Sequence, residues 1–75
     1  RAALIRVAKE KLENARINLR KVRDEANRDI EAKEKAGGMG EDERFRLKKE
    51  LEKLVETENT KLQDSFARKE KEILS

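Results

Sequence analysis

The sequence predicts an all-α fold in which two long helices form an antiparallel hairpin. The 75 residues are rich in Ala, Glu, Lys, Leu and Arg, which favour helices, and they include no proline. The larger apolar residues recur at helical spacing, which argues against a disordered charged tail although 49% of the chain is charged. The only glycines are Gly37, Gly38 and Gly40, so a single break divides the chain into two arms.

The arms define one partial helical-bundle domain over residues 1–75, with a helix over about 2–36, a loop at 37–40 and a helix over about 41–74. A four-residue connection favours antiparallel neighbours. Gly40 is expected to cap the second helix, and the acidic residues 41–43 place negative charge where the helix dipole favours it.

In the first arm, apolar residues alternate at spacings of three and four, which predicts a heptad seam. The seam consists of Ile5, Ala8, Leu12, Ala15, Leu19, Val22 and Ala26. Leu4 and Ile30 widen it.

The second arm has a broader apolar stripe, which Glu58 and Lys69 interrupt. Its members are Leu47, Leu51, Leu54, Val55, Leu62, Phe66 and Ile73. Apolar residues outside a two-helix seam predict that the hairpin needs a further partner: another helix of a parent protein, a second copy or a large binding surface. Those residues are Leu4, Ile30, Phe45 and Leu47.

The residue types that are absent exclude several functions. With no cysteine and no histidine, the chain has no disulfide, no thiolate metal site and no usual nucleophile–base pair. We therefore expect no enzymatic activity, no cofactor and no metal. No apolar run approaches the roughly 18 residues of a membrane span, so no membrane partner is expected. The chain begins at Arg1, which suggests a processed form or a piece of a longer protein.

Basic residues follow one side of the first arm, whose residues 1–36 include 11 basic and 7 acidic groups. Helical spacing places Lys9, Arg16, Arg20, Arg23 and Asn27 beside the apolar seam. Such a stripe could follow a phosphate backbone. Alternatively, these arginines pair with glutamates of the other helix or lie in water. The stripe contains no interleaved aromatic residues, so structured RNA fits better than stacking on single strands.

The order of several segments resembles the ribosome recycling factor family. Residues 15–27 are similar to the family's second long helix, with Arg20, Arg23 and the pair Ala26–Asn27 in matching places. Residues 41–43 resemble the acidic start of its third helix. Residues 52–54 and 69–74 resemble the body and end of that helix.

The resemblance implies a three-helix bundle from which the first helix and an inserted β-rich domain are missing. It also implies a non-catalytic factor that binds rRNA of the large ribosomal subunit. With a translocase GTPase similar to elongation factor G, such a factor splits the ribosome after termination of translation. Arg20 and Arg23 match two functional arginines of the family. Arg16 and Lys9 depend on the stripe alone.

Three departures from the family pattern also bear on function. Asp24 stands where many bacterial members have a further arginine, Glu58 replaces an aromatic residue, and the Gly-rich loop is longer. These differences favour a divergent member that acts on ribosomes in the mitochondrial matrix over one in the bacterial cytoplasm. The competing hypothesis is an antiparallel coiled-coil hairpin that has a structural or protein-interaction role and does not bind RNA.

Overall fold

Two antiparallel helices make up the chain. The computed structural model describes all residues 1–75, with α1 over Ala2–Lys35 and α2 over Glu41–Leu74. The helices pack side by side in a rod of 55 × 15 × 9 Å, which confirms the predicted all-α hairpin. Neither helix has a stretch that is both long and apolar enough to cross a membrane.

Glycine at position 37 ends α1. Gly37 has a φ of +83°, a left-handed conformation that costs residues with a Cβ atom free energy. Its N–H donates to the carbonyl of Glu34 over 3.0 Å, and the N–H of Gly38 donates to the carbonyl of Lys33 over 2.9 Å. These two bonds form a Schellman motif, which satisfies carbonyl groups at the end of the helix.

The second helix begins without a side-chain cap. Gly40 is its N-cap residue, with an extended backbone at φ −81° and ψ 167°. Three carboxylates lie in the first turn, where they interact favourably with the helix dipole: Glu41, Asp42 and Glu43. Backbone and dipole thus define this helix start.

The helix interface is thin. Val55 is the one buried residue, with 7% of its surface exposed. Around it, half-buried apolar residues of both helices form the seam. In α1 these are Ile5, Ala8, Leu12, Ala15, Leu19, Ala26 and Ile30, and in α2 they are Leu47, Leu51, Leu62, Phe66 and Ile73.

The strict heptad predicted for α1 is wrong at Val22. This residue is 59% exposed, whereas its neighbour Arg23 is half-buried against α2. A straight α-helix has 3.6 residues per turn, so a 3.5-residue seam drifts by about 20° per heptad relative to the partner. Beyond Leu19 the contact line therefore passes through Arg23 in place of Val22 and continues through the predicted Ala26 and Ile30.

The stripe predicted for α2 is wrong at Leu54 for the same reason. Leu54 is 63% exposed, and Val55 takes the central position. Glu58, expected to interrupt the seam, is exposed, and Asn59 is half-buried instead. The interface therefore includes polar residues beside the apolar ones.

Ion pairs join the helices close to the turn. Lys48 Nζ lies 2.6 Å from Glu31 Oε1, and Arg44 Nε lies 3.1 Å from Glu34 Oε2. The second pair lacks the alignment of a hydrogen bond, which leaves the buried Arg44 Nε without a hydrogen-bond partner. The hydrogen bond from Lys48, with the positive charge of the same group, lowers the pKa of the Glu31 carboxyl below its ordinary value of 4.5.

Candidate nucleic-acid interface

The four predicted basic residues lie on one side of α1, which we call the basic side. Arg16, Arg20 and Arg23 are separated by four and three residues, and such residues are neighbours on a helix surface. Lys9 continues the row toward the open end, seven residues before Arg16. α1 is uninterrupted from Ala2 to Lys35, so it places all four side chains along one straight row.

Arg16 is engaged with the second helix. Its Nη2 donates a hydrogen bond to Oε1 of Gln63 in α2, and the arginine is half-buried. This contact holds the guanidinium at the boundary between the helices, so only part of the group faces outward.

Arg20 and Arg23 differ in exposure although three residues separate them. The Arg20 side chain is 59% exposed, and its Nη2 lies 3.7 Å from Glu13 Oε1. The Arg23 side chain is 31% exposed, and its Nη2 lies 3.4 Å from Asp24 Oδ1. Exposed ion pairs of this kind contribute little stability and open readily. Arg20 is therefore the more accessible arginine.

Lys9 is exposed and has no ion pair or side-chain hydrogen bond. The structure thus divides the predicted residues into two pairs. Lys9 and Arg20 face solvent, whereas Arg16 and Arg23 line the boundary with α2.

Arg16 and Arg23 share an open groove of about 500 Å³ with α2. The α2 wall carries polar and acidic residues that the prediction did not include: Glu52, Glu56, Asn59, Thr60, Gln63 and Asp64. The spacing of Asn59 and Gln63, four residues apart, predicts two polar neighbours on one side of α2 and could have indicated this wall from the sequence. The alignment of α1 with α2 that brings Gln63 to Arg16 could not be predicted from the residue spacing within either helix alone.

The charges of the groove limit what it can bind. Two guanidinium groups face three carboxylates there, so the groove itself does not attract phosphate strongly. Lys9 and Arg20 lie outside it and present cations to solvent. Nowhere in the chain do three or more carboxylates converge as a metal site would require. The predicted cations that are free of the groove are therefore Lys9 and Arg20.

The opposite side of the hairpin, which we call the apolar side, is rich in exposed aliphatic residues. Leu4 and Val22 are 18 residues apart, which is five helical turns, so they project in the same direction, and each is 59% exposed. A groove of about 210 Å³ lies on this side, lined by Ala8, Lys11, Leu12, Ala15, Leu62, Ser65, Phe66 and Lys69. Apolar surface of this kind marks a contact site for another structural element.

Comparison with known proteins matches nearly the whole chain to one family. The family model described as ribosome recycling factor matches residues 1–74. No solved structure matches the chain.

Individual relatives carry the same description. A ribosome-recycling factor of Fervidobacterium nodosum is 37% identical over 70 residues, covering 93% of this chain and 38% of the relative. Those of Bifidobacterium adolescentis and Oleidesulfovibrio alaskensis are 35% and 36% identical over 74 residues, covering 99% of this chain and 40% of each relative. The chain therefore spans about 40% of the length of these relatives.

Proposed function

The chain belongs to the ribosome recycling factor family, and we propose from this membership that it is the rRNA-binding part of a factor that helps split ribosomes after translation termination. In this proposal it does no covalent chemistry. It binds the large ribosomal subunit by its basic side, and the energy for splitting comes from a translocase GTPase similar to elongation factor G.

The observation that carries the proposal is the row of cations along one side of a straight rod. Lys9 and Arg20 face solvent, and the pair between Arg23 and Asp24 is exposed enough to exchange for a phosphate. A guanidinium can bind two phosphate oxygens at once, and a row of them follows the backbone of folded RNA. Arg20 and Lys9 are the contacts that face solvent, Arg23 is included because it matches a functional arginine of the family, and Arg16 is held back by Gln63.

The apolar side supports the proposal that residues 1–75 are an incomplete bundle domain. Leu4, Val22 and Leu54 lie exposed there, and a third helix would cover them. We assign this place to the first helix of the family, and the inserted β-rich domain lies elsewhere in the complete protein. The 40% coverage of the relatives fits a chain that carries two of three helices.

Ribosome association follows from the proposed function, whereas the compartment stays a prediction. Asp24, Glu58 and the longer Gly-rich loop favour the mitochondrial matrix over the bacterial cytoplasm. The relatives named above are bacterial, and their names do not test that preference.

The test is co-sedimentation with purified large ribosomal subunits at low and at moderate salt. Binding should fall as salt rises, because phosphate contacts release counterions. The double variant R20A/R23A should weaken binding by about a hundredfold or more, since each of the two hydrogen bonds to a charged group contributes about 1.5–3 kcal/mol and about 1.4 kcal/mol is a factor of ten.

The matched control is the double variant R28A/R68A. Both arginines are exposed, neither forms an ion pair, and neither belongs to the basic side. Removing them changes the net charge by the same amount. An equal loss of binding in the two double variants would show that binding depends on net positive charge and not on position, and it would contradict the proposed site.

A second candidate is a protein-interaction hairpin that does not bind RNA. The contact between Arg16 and Gln63 favours it, because it shows one predicted RNA contact used between helices. The exposed aliphatic residues of the apolar side favour it as well. This candidate predicts a stable oligomer in analytical ultracentrifugation and no sedimentation with ribosomal subunits.

A further inference from the structure

Phe45 is the most exposed of the large apolar side chains. It lies in the second turn of α2, and 66% of its surface is accessible to solvent. Exposed aromatic rings are costly in water and are common where they bind a flat partner. The second phenylalanine, Phe66, is half-buried in the seam and lines the groove of the apolar side.

Helical geometry places Phe45 on the basic side. Phe45 and Gln63 are 18 residues apart, which is five turns, so they project from the same side of α2. Gln63 accepts the hydrogen bond of Arg16 and therefore marks the basic side. Phe45 thus points away from the apolar side with its Leu4, Val22 and Leu54, and a third helix placed there would not cover it.

Phe45 lies in the basic segment 44–49, which reads Arg-Phe-Arg-Leu-Lys-Lys and directly follows the acidic residues 41–43. Arg44 and Lys48 are occupied by Glu34 and Glu31 of α1. Arg46 and Lys49 are exposed and have no ion pair. Lys49 lies four residues after Phe45 and is therefore its neighbour on the same helix face.

We propose that Phe45 stacks on an unpaired base of the RNA that binds along the basic side. An aromatic ring beside free cations is the arrangement that binds an extruded base together with its phosphate. Lys49 and Arg46 neutralise the phosphates next to that base. The proposal rests on the proposed function and adds an aromatic contact near the turn to the arginine contacts in the middle of the rod.

Three substitutions at Phe45 test the stacking in co-sedimentation with large ribosomal subunits. Phe45→Ala should weaken binding by about tenfold, a typical loss for one stacked base. Phe45→Leu should weaken it similarly, because leucine keeps apolar surface but has no π-face. Phe45→Trp should retain binding. Leu54→Ala is the matched control, since it removes a similarly exposed apolar residue from the apolar side of the same helix.

The chain contains no tryptophan and no tyrosine, so Phe45→Trp also provides a unique fluorophore. Its emission should be quenched when large subunits are added, and the quenching should weaken with salt. Equal binding by the unchanged chain and Phe45→Ala would overturn the stacking while leaving the proposed function intact. Full binding by Phe45→Leu would indicate an apolar protein contact and would also overturn it. A failure of the unchanged chain to bind subunits would overturn both proposals.

Discussion

The turn half and the open half of the hairpin are held together by different interactions. Every ion pair between the helices, and every side-chain hydrogen bond between them, lies between the turn and the pair formed by Arg16 and Gln63. Val55, the one buried residue, lies in the same half. Toward the termini no ion pair or side-chain hydrogen bond joins the helices, and the half-buried residues there are mostly apolar, such as Leu12, Phe66 and Ile73.

The difference shows which half of the hairpin is held by polar contacts between its own helices and which half lacks them. Near the turn, the short connection keeps the helices close at little entropic cost, so polar contacts can form. In the open half that advantage is lost, no polar contact joins the helices, and a groove of about 210 Å³ that is lined mainly by apolar residues lies between them. A third helix on the apolar side would cover exposed residues in both halves, with Leu4 in the open half and Val22 and Leu54 in the turn half.

The largest effect on the turn half is expected from the substitution Val55→Asp. A carboxylate at the one buried position should destabilise the turn half by about 3 kcal/mol or more, because the variant loses the buried apolar contact and takes a charge out of water. Chemical denaturation followed by circular dichroism measures the change. Leu54→Asp is the adjacent control and should have little effect, since Leu54 is 63% exposed. Similar losses in both variants would show that Val55 has no special place in the interface.

The next effect is expected from Gly37→Ala. At a φ of +83°, a Cβ atom should cost about 1–2 kcal/mol and weaken the end of α1. Gly38→Ala is the matched control, because its Cβ would meet Lys33 O at an ordinary 3.6 Å and its backbone has no positive φ. Thermal unfolding of both variants measures the loss of stability, which should be larger for Gly37→Ala. A loss in Gly38→Ala as large as that in Gly37→Ala would contradict the role of the left-handed residue.

The smallest effect is the pH dependence of the pair between Glu31 and Lys48. The folded chain lowers the pKa of Glu31, so the stabilisation is present above the ordinary value of 4.5 and is lost as pH falls through the folded value. NMR titration of the Glu31 carboxyl should report the lowered pKa, and Lys48→Ala should return it toward 4.5. An unchanged titration in Lys48→Ala would assign the shift to another group.

The hairpin was predictable because its determinants are local. The helix formers and the single cluster of glycines place the two helices and the turn without knowledge of any contact. The residues of the seam were harder to predict than the helices, because a heptad pattern and a straight helix diverge over a helix as long as α1. Arg23 therefore replaces Val22 in the interface, and Val55 rather than Leu54 is buried.

For the candidate site, the sequence predicts which side of α1 the basic residues share. It does not predict which of them are exposed and which contact α2. Helical spacing groups Lys9, Arg16, Arg20 and Arg23. The register of α2 decides that Arg16 meets Gln63 and that Arg20 stays exposed. The same register brings Phe45 to the basic side, where spacing within α1 alone shows no aromatic residue.

A rod with a single buried residue, Val55, has little apolar surface left to expose when it unfolds. The heat capacity change on unfolding scales with that surface, so it should be small and the stability curve shallow. Melting of the isolated chain should accordingly be broad and begin as fraying at the termini. A sharp calorimetric transition would develop only when another layer covers the apolar side.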